Sequence, residues 1–275
     1  MAGSGFGTNF RITTWGETHG AGVGVVVDGC PAGLPLERED VQKYLDRRKP
    51  GQSKYTTQRK EGDQVEILSG IFEGRTTGTP ISMVVYNKDQ RSKDYSNIKD
   101  IYRPGHADFT FDMKYGFRDY RGGGRSSGRE TIGRVAAGAV AAKVLKELGI
   151  EIKAYAKAIA GIEVSKDHFD FAEMNNNPFN MPDKEAAKLV QEKADQMIKE
   201  MDSIGGIIEC QITGMPVGIG ETVFDKLDAE LSKAIMSIGS VKGFEIGDGF
   251  EAANLRGSEN NDDFICVDGK VEKET

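Results

Sequence analysis

The order of strand-like and helix-like segments is the feature that most limits the fold of this chain. Runs of β-branched and apolar residues predict strands. The strand candidates are residues 10–15, 23–27, 65–68, 81–86, 151–164 and 207–212. Helical spacing of apolar residues predicts helices at residues 36–47, 131–148, 183–203 and 226–238. Because strands and helices alternate loosely, without a regular β-α-β repeat, an α+β layered domain fits better than a doubly wound sheet.

Glycine marks the segments where function is expected. The chain has 35 glycines among 275 residues, and they cluster around polar and basic side chains. Such clusters indicate loops whose backbone approaches another group closely. Residues 94–128 are polar, aromatic and glycine-rich with little periodicity, which predicts a long irregular segment that carries function. The tail from Gly247 predicts a loop or a flexible end.

Composition narrows the class of protein. The net charge of −7 disfavours general binding of nucleic acid. Cys30, Cys210 and Cys266 are far apart and form no Cys-x-x-Cys pair, so neither a zinc site nor a disulfide framework is predicted. The first ten residues lack the pattern of a signal peptide, and no apolar run approaches the ~20 residues of a spanning helix. These features predict a cytoplasmic protein with reduced thiols and no membrane partner.

The first candidate for chemistry is the run Gly16-Glu17-Thr18-His19-Gly20. A histidine between a strand end and glycines is expected at an exposed, tightly turned position. Imidazole titrates near neutral pH and can act as an acid or a base. The alternative is a turn whose histidine only hydrogen-bonds to the backbone.

The second candidate is residues 103–108, Arg-Pro-Gly-His-Ala-Asp. His106 also lies next to a glycine, Asp108 is expected to be close enough to orient it, and Arg103 adds a fixed positive charge. The alternative is a surface loop with a chance charge pair. His168, which has no neighbouring glycine and lies among acids, is interpreted as a surface histidine.

Two segments favour anions. Residues 121–131 combine glycines, arginines and serines directly before a predicted helix, where free backbone N–H groups and the helix dipole attract negative charge. This segment is not a P-loop, because no Gly-Lys-Ser/Thr ends it. Residues 47–60 carry six positive charges and no acid, Arg48 and Lys54 among them. Each segment alone could be a solvated surface, but together they favour an electropositive cleft. No spacing of His, Cys or Asp suggests a metal.

These segments together resemble the chorismate synthase family. The likeness lies in residues 16–20 with Asp-Gly-Cys-Pro at 28–31, in residues 103–108, and in residues 124–138. Residues 47–60 and 236–243 also resemble family segments in the same order, and the likeness runs from Met1 to about Glu259. The resemblance implies a single layered domain over residues 1–275, with antiparallel sheets flanking a helical core.

The resemblance also implies an activity. Members of the family are lyases that remove phosphate and a ring proton from 5-enolpyruvylshikimate 3-phosphate by a 1,4-anti elimination. The product is chorismate, in the shikimate pathway to aromatic amino acids. The reaction requires reduced FMN without net redox change, and NADPH is a candidate reductant. The family further implies a homotetramer.

Site residues follow from the same resemblance. His19 would protonate the departing phosphate, and His106 would lie against the reduced flavin and manage its protonation. Arg48, Thr18 and Arg129 are expected to contact the substrate. The expected cofactor contacts are Arg125, Ser126, Ser127, Gly239, Ser240, Arg48 and Lys54, the last two at positions where some members bind NADP.

The chain departs from the family at several points. Thr18 replaces a commoner serine, Lys54 a commoner arginine that would offer a bidentate fork, and Gly239-Ser240 a commoner Asn-Ala pair. Family members continue beyond Thr275, with further flavin contacts and an aspartate that assists removal of the ring proton. The expected domain therefore lacks the family's C-terminal portion. This leaves an inactive flavin- or phosphate-binding remnant as the alternative function, and an unrelated phosphotransferase as a third hypothesis.

Overall fold

The computed structural model describes residues 3–56, 61–88, 99–121 and 123–273. These residues form two compact units, Met1–Val217 and Gly218–Thr275. The single domain expected over residues 1–275 stays a prediction. Within the described ranges, no helix is long and apolar enough to cross a membrane.

The first unit begins with a five-stranded antiparallel sheet in the order β1-β2-β3-β7-β4. Its strands are β1 (Gly5–Phe6), β2 (Arg11–Gly16), β3 (Gly22–Asp28), β4 (Val65–Ile67) and β7 (Ile81–Tyr86). A small hairpin, β5 (Ile71–Phe72) with β6 (Arg75–Thr76), lies between β4 and β7 along the chain. Val23, Val25 and Val27 of β3 are buried, as alternation along a strand requires.

Two helices bury their apolar sides with this sheet. α1 (Arg38–Arg48) opens with a capping box between Glu37 and Asp40 and buries Val41 and Leu45. α3 (Thr131–Glu147) buries mainly small residues and is followed by Gly149 at φ 76°, the left-handed position that favours glycine. The small side chains let α3 approach the sheet closely.

A second antiparallel sheet completes this unit, in the order β10-β8-β9. Its strands are β8 (Glu151–Ile159), β9 (Ile162–Glu163) and β10 (Gly206–Thr213). α4 (Lys184–Glu200) is capped by the Asp183 carboxylate, and buries Val190 in a cluster with Ala156 of β8. α3 contacts strands of both sheets. The predicted α+β class, with antiparallel sheets flanking a helical core, is confirmed.

The expectation of a wholly irregular segment at residues 94–128 is wrong where α2 (Asp108–Tyr115) forms. Asp108 lies in its first turn, and Gly116 ends it at φ 69°. Residues 94–98 and 122 lie outside the described residues.

The second unit contains α5 (Leu227–Met236) and a hairpin of β11 (Phe264–Val267) and β12 (Lys270–Lys273). The tail from Gly247 was expected to be a loop or a flexible end, and the hairpin corrects this. Asp268 and Gly269 both have positive φ, 50° and 78°. This Asp-Gly turn has the twist that joins two antiparallel strands.

Candidate active site

The His19 turn, residues 16–21, connects β2 to β3. Gly16 has φ 85°, and a Cβ added there would lie 2.1 Å from the Gly22 carbonyl oxygen, so the turn requires glycine. His19 is only 7% exposed, and Thr18 is buried beside it. The expectation of an exposed histidine is therefore wrong. The turn is covered by residues distant in sequence, as the Thr18 hydroxyl shows by donating to the Gly124 carbonyl oxygen at 3.3 Å.

Asn87 closes the His19 turn from the other side. It follows β7 directly, and its Nδ2 donates to the carbonyl oxygens of Glu17 (2.9 Å) and Gly20 (2.8 Å). Its Oδ1 accepts from Arg129 Nε at 2.7 Å. Sequence reasoning missed Asn87. The available signal was an amide residue directly after a buried strand, a usual place for functional side chains.

Residues 123–131, here called the glycine-rich segment, lie against the end of β2. Two 3-10 turns, Gly124–Ser126 and Gly128–Glu130, lead into α3. The Arg125 guanidinium donates to the Gly16 carbonyl oxygen (3.2 Å) and to the Thr14 hydroxyl (2.6 Å) and carbonyl oxygen (3.2 Å). These contacts bring the start of the His19 turn and the glycine-rich segment together.

The serines of this segment stabilise its backbone. The exposed Ser126 hydroxyl donates to the Gly123 carbonyl oxygen at 2.7 Å, and Ser127 Oγ accepts from the Arg129 N–H at 3.3 Å. A Cβ added to Gly124 or Gly128 would meet nothing within 4 Å. The backbone at these two glycines is therefore open to an approaching ligand.

A buried ion-pair network lies beneath this segment. Asp63, whose side chain is fully buried, accepts from Arg129 Nη1 and from Arg48 Nη1, each at 2.8 Å. Glu61 Oε2 lies 3.9 Å from Arg129 Nη2. Asp63 has φ 41°, an unusual value for a residue with a side chain. Sequence reasoning missed both acids, because only the folded chain brings them to the arginines.

Arg48 and Arg129 differ in access. Arg129 is 5% exposed, whereas the Arg48 side chain is 20% exposed and also donates to the Gly128 carbonyl oxygen (3.4 Å) and the Thr131 hydroxyl (3.2 Å). Arg48 therefore joins α1 to the start of α3, at the edge of the glycine-rich segment. The substrate contacts expected for both arginines stay predictions.

Lys54 is placed elsewhere. Its ammonium is exposed and lies 2.7 Å from Asp195 Oδ1 on α4, and the Tyr55 hydroxyl donates to the same oxygen at 2.9 Å. The Lys54 ammonium beside Asp195 holds the pKa of that carboxyl below its usual range. Arg59 and Lys60 of the basic segment lie outside the described residues.

The His106 loop has partners of its own. His106 is exposed, and its Nδ1 lies 3.0 Å from the Pro104 carbonyl oxygen. Asp108 does not orient His106, so that expectation is wrong. Its carboxylate instead binds Arg103 Nε (2.8 Å), Nη2 (2.9 Å) and backbone N (3.1 Å). The Arg103 guanidinium lowers the pKa of Asp108 to about 2.

The remaining predicted residues lie apart from these segments in the sequence. Gly239 and Ser240 are exposed positions after α5 in the second unit, and Ser240 has φ 72°. His168 is exposed, in agreement with its interpretation as a surface histidine. Among the described residues, no group of three or more His, Cys, Asp or Glu side chains could hold a metal ion.

Comparison with known proteins agrees with this arrangement. A family model described as chorismate synthase matches residues 10–274. The chain is 69% identical over 275 residues to a chorismate synthase of Lachnospira eligens, and 64% identical to one of Agathobacter rectalis. Each match covers 100% of this chain and 75% of the relative.

A solved structure agrees as well. A crystal structure of a chorismate synthase is 32% identical, with a TM-score of 0.79, over 97% of this chain and 78% of that chain. The chain therefore belongs to the chorismate synthase family, the lyases that form chorismate in the shikimate pathway to aromatic compounds.

Proposed function

We propose that this enzyme converts 5-enolpyruvylshikimate 3-phosphate into chorismate and inorganic phosphate, and that it requires reduced FMN. The observation that carries the proposal is the direct bonding of three segments into one site. The His19 turn, the glycine-rich segment and Arg48 are linked by Thr18–Gly124 and by Arg48–Gly128 contacts. This site combines a buried acid–base group with fixed cations.

The charge of the ligands suits this site. The substrate carries two carboxylates and a phosphate, and FMN carries another phosphate. Arg48 is partly accessible, and the backbone at Gly124 and Gly128 is open, next to the N-terminal end of the 17-residue α3. Helix N-termini and arginine forks are the groups that bind such oxygens. They concentrate positive potential in a chain of net charge −7.

The glycine-rich segment fits a flavin phosphate in its chemistry. This segment offers a cation and two hydroxyls from Arg125, Ser126 and Ser127. The backbone beside them is open at Gly124, where a side chain would cover it. We therefore assign FMN contacts to these three residues; the FMN contact proposed for Gly239 and Ser240 of the second unit rests on the family resemblance alone. When bound, reduced FMN supplies electron density while the bond from carbon to phosphate oxygen breaks. Arg48 and Lys54 are the proposed contacts for NADPH as reductant.

The two histidines receive different roles. The reaction breaks the C–O bond to phosphate and one ring C–H bond. The C–O electron pair leaves with the phosphate, the ring proton passes to a base, and the C–H electron pair becomes part of the new double bonds. His19 donates the proton that the leaving phosphate takes up, because burial at 7% exposure limits competition from water. Thr18, one residue earlier, and Arg129 are assigned to the substrate side.

His106 is suited to hold a proton beside a bound ligand. The Pro104 carbonyl oxygen can only accept, so Nδ1 of neutral His106 carries the hydrogen. This leaves Nε2 as a base on an exposed side chain. We assign to this Nε2 the holding of a proton beside the flavin site, which it would take up as a base and could return from the imidazolium form. We further propose that the enzyme is a cytoplasmic homotetramer. Light scattering of the purified protein tests the oligomeric state.

The test is an anaerobic assay of the purified protein that follows chorismate and inorganic phosphate together. We expect both products in equal amounts with reduced FMN, and none with oxidised FMN or without flavin. Full turnover without flavin would contradict the proposal. Flavin binding without release of phosphate would favour the non-catalytic binding protein instead.

A further inference from the structure

We propose that Asn87 is a positioning residue of this reaction, which holds His19 at a fixed place relative to the buried Arg129. The inference rests on the proposed role of His19 as a proton donor. Asn87 bonds to Arg129 and to backbone carbonyl oxygens of the His19 turn. It acts through the backbone of the His19 turn.

Asn87 lies directly after the last residue of β7. Its backbone N–H donates to the Ala21 carbonyl oxygen at 3.0 Å, which extends the pairing of β7 with β3 by one residue. The side chain is thereby fixed next to the turn. Its Nδ2 donates to the carbonyl oxygens of Glu17 and Gly20, the two residues that flank Thr18 and His19.

The two bonds that Asn87 donates stabilise the His19 turn, whose own backbone hydrogen bonds are long. Within the turn the Gly20 N–H donates to the Glu17 carbonyl oxygen at 3.2 Å, and the Glu17 N–H to that of Gly22 at 3.3 Å. The two bonds from Asn87, at 2.9 and 2.8 Å, are shorter. The amide therefore holds both ends of the segment that carries His19.

The orientation of the Asn87 amide is fixed by its three partners. Oδ1 faces the guanidinium of Arg129, which can only donate, while Nδ2 faces two carbonyl oxygens, which can only accept. A flipped amide would break all three bonds. The identity of the residue is thereby specified: aspartate could replace the contact to Arg129 but not the two donated bonds.

Arg129, the partner of the Asn87 side-chain oxygen, is itself buried and fixed in place. Arg129 is 5% exposed, and its Nη1 binds the fully buried Asp63, which also binds Arg48. Through Arg129, Asn87 thus connects the His19 turn to Asp63, the buried carboxylate that also binds Arg48. A proton donor and an anion-binding cation keep a constant separation by this route. Displacement by about 1 Å can reduce a rate by about 100-fold.

The test compares Asn87→Asp with a matched control, Asn177→Asp. Asn177 is also half-buried, and its Nδ2 donates to the carbonyl oxygens of Glu173 and Met181, each at 2.8 Å, beside α4. We expect Asn87→Asp to lower kcat by about 10- to 100-fold. Loss of positioning should lower kcat, whereas the added negative charge should raise KM for an anionic substrate. Measuring both constants therefore separates the two effects. Asn177→Asp should lower Tm and leave kcat unchanged.

A spectroscopic readout reports on the turn directly. The chain has 3 histidines, so the imidazole C2–H resonances can be assigned with one His→Gln variant each. We expect the His19 resonance to move in Asn87→Asp while those of His106 and His168 stay. A general loss of stability would move none of them in the folded protein. If Asn87→Asp does not fold, Asn87→Ser, which is neutral and cannot reach both carbonyl oxygens, carries the same test.

The outcomes separate this inference from the proposed function. A kcat within about twofold of wild type in Asn87→Asp, which is below about 0.5 kcal/mol in activation free energy, would overturn the positioning role. An equal loss of kcat in Asn177→Asp would overturn it as well. His19→Ala with near-normal kcat would overturn the role of His19 itself. Loss of kcat in His19→Ala but not in Asn87→Asp would refute the positioning role alone.

Discussion

The close approach of α3 to the first sheet can be tested at Gly133. A Cβ added there would lie 3.0 Å from Thr14 Cγ2 and 3.1 Å from the Gly24 carbonyl oxygen. Gly138, in the same helix, is exposed, and a Cβ there would meet nothing within 4 Å. Gly133→Ala and Gly138→Ala therefore add the same methyl group to one helix, against close neighbours at Gly133 and in open space at Gly138.

The expected energies follow from helix propensity and packing. Alanine is more favourable than glycine in a helix by about 1 kcal/mol, so Gly138→Ala should raise the free energy of unfolding by about that amount. At Gly133 the same gain is opposed by overpacking, which costs about 1–3 kcal/mol. The Gly24 carbonyl cannot move away easily, because β3 is paired on both sides. Urea unfolding should thus place Gly133→Ala about 1–3 kcal/mol below Gly138→Ala.

The same substitution should affect the candidate site. Thr14 accepts from Arg125 through its hydroxyl at 2.6 Å, and donates from that hydroxyl to Glu130 at 2.9 Å. Displacement of Thr14 would move Arg125, and flavin titration should show weaker binding in Gly133→Ala than in Gly138→Ala. Equal stabilisation by both variants would refute the argument from close approach.

Three further predictions concern charges and histidines. Asp108→Asn should lower the free energy of unfolding by about 2 kcal/mol at pH 7, because Arg103 lowers the pKa of Asp108 from 3.8 to about 2. The lowered pKa stabilises the fold above 3.8, so the difference from wild type should shrink as the pH falls toward 2; a constant difference in urea titrations would contradict this. His106→Ala should depress kcat by about 100-fold or more with little change in Tm, since the side chain is exposed, whereas the equally exposed His168→Ala should change neither. Similar rates in both variants would exclude a catalytic role for His106. Asp63→Asn should cost about 3–5 kcal/mol in thermal or urea unfolding, since it leaves buried arginine charge uncompensated, and a loss below about 1 kcal/mol would show that the network is not required.

Local signals account for what could be predicted of the fold. The Asp183 cap and the apolar stripe after it predict a helix at residues 183–203, and α4 forms at Lys184–Glu200. The almost wholly apolar run at residues 23–27 predicts a strand, and β3 forms there with Val23, Val25 and Val27 buried. Both features depend on neighbours in the sequence, so no knowledge of the tertiary structure is needed to find them.

The hydrogen bonds of the site depend on distant parts of the chain. Asp63 reaches Arg129 across 66 residues, and Asn87 reaches it across 42. The burial of His19 likewise involves Gly124, which lies 106 residues after Thr18. No periodicity or cap reports such contacts, so the glycine motifs indicate where the site lies without indicating which carboxylates and amides support it.

The difference in exposure between the two histidines limits the roles that each can take. His19 is 7% exposed and is held by a turn whose ends are both bonded to Asn87, so its proton can be delivered to a bound group with little exchange with water. His106 is exposed, with Nδ1 engaged by its own loop, so its side chain is in contact with solvent until a ligand covers it. An acid in open contact with water is poorly suited to protonate a leaving phosphate selectively. This difference supports the proposed role of His19 at the phosphate and of His106 beside a ligand that covers it on binding, although each histidine lies next to a glycine in the sequence.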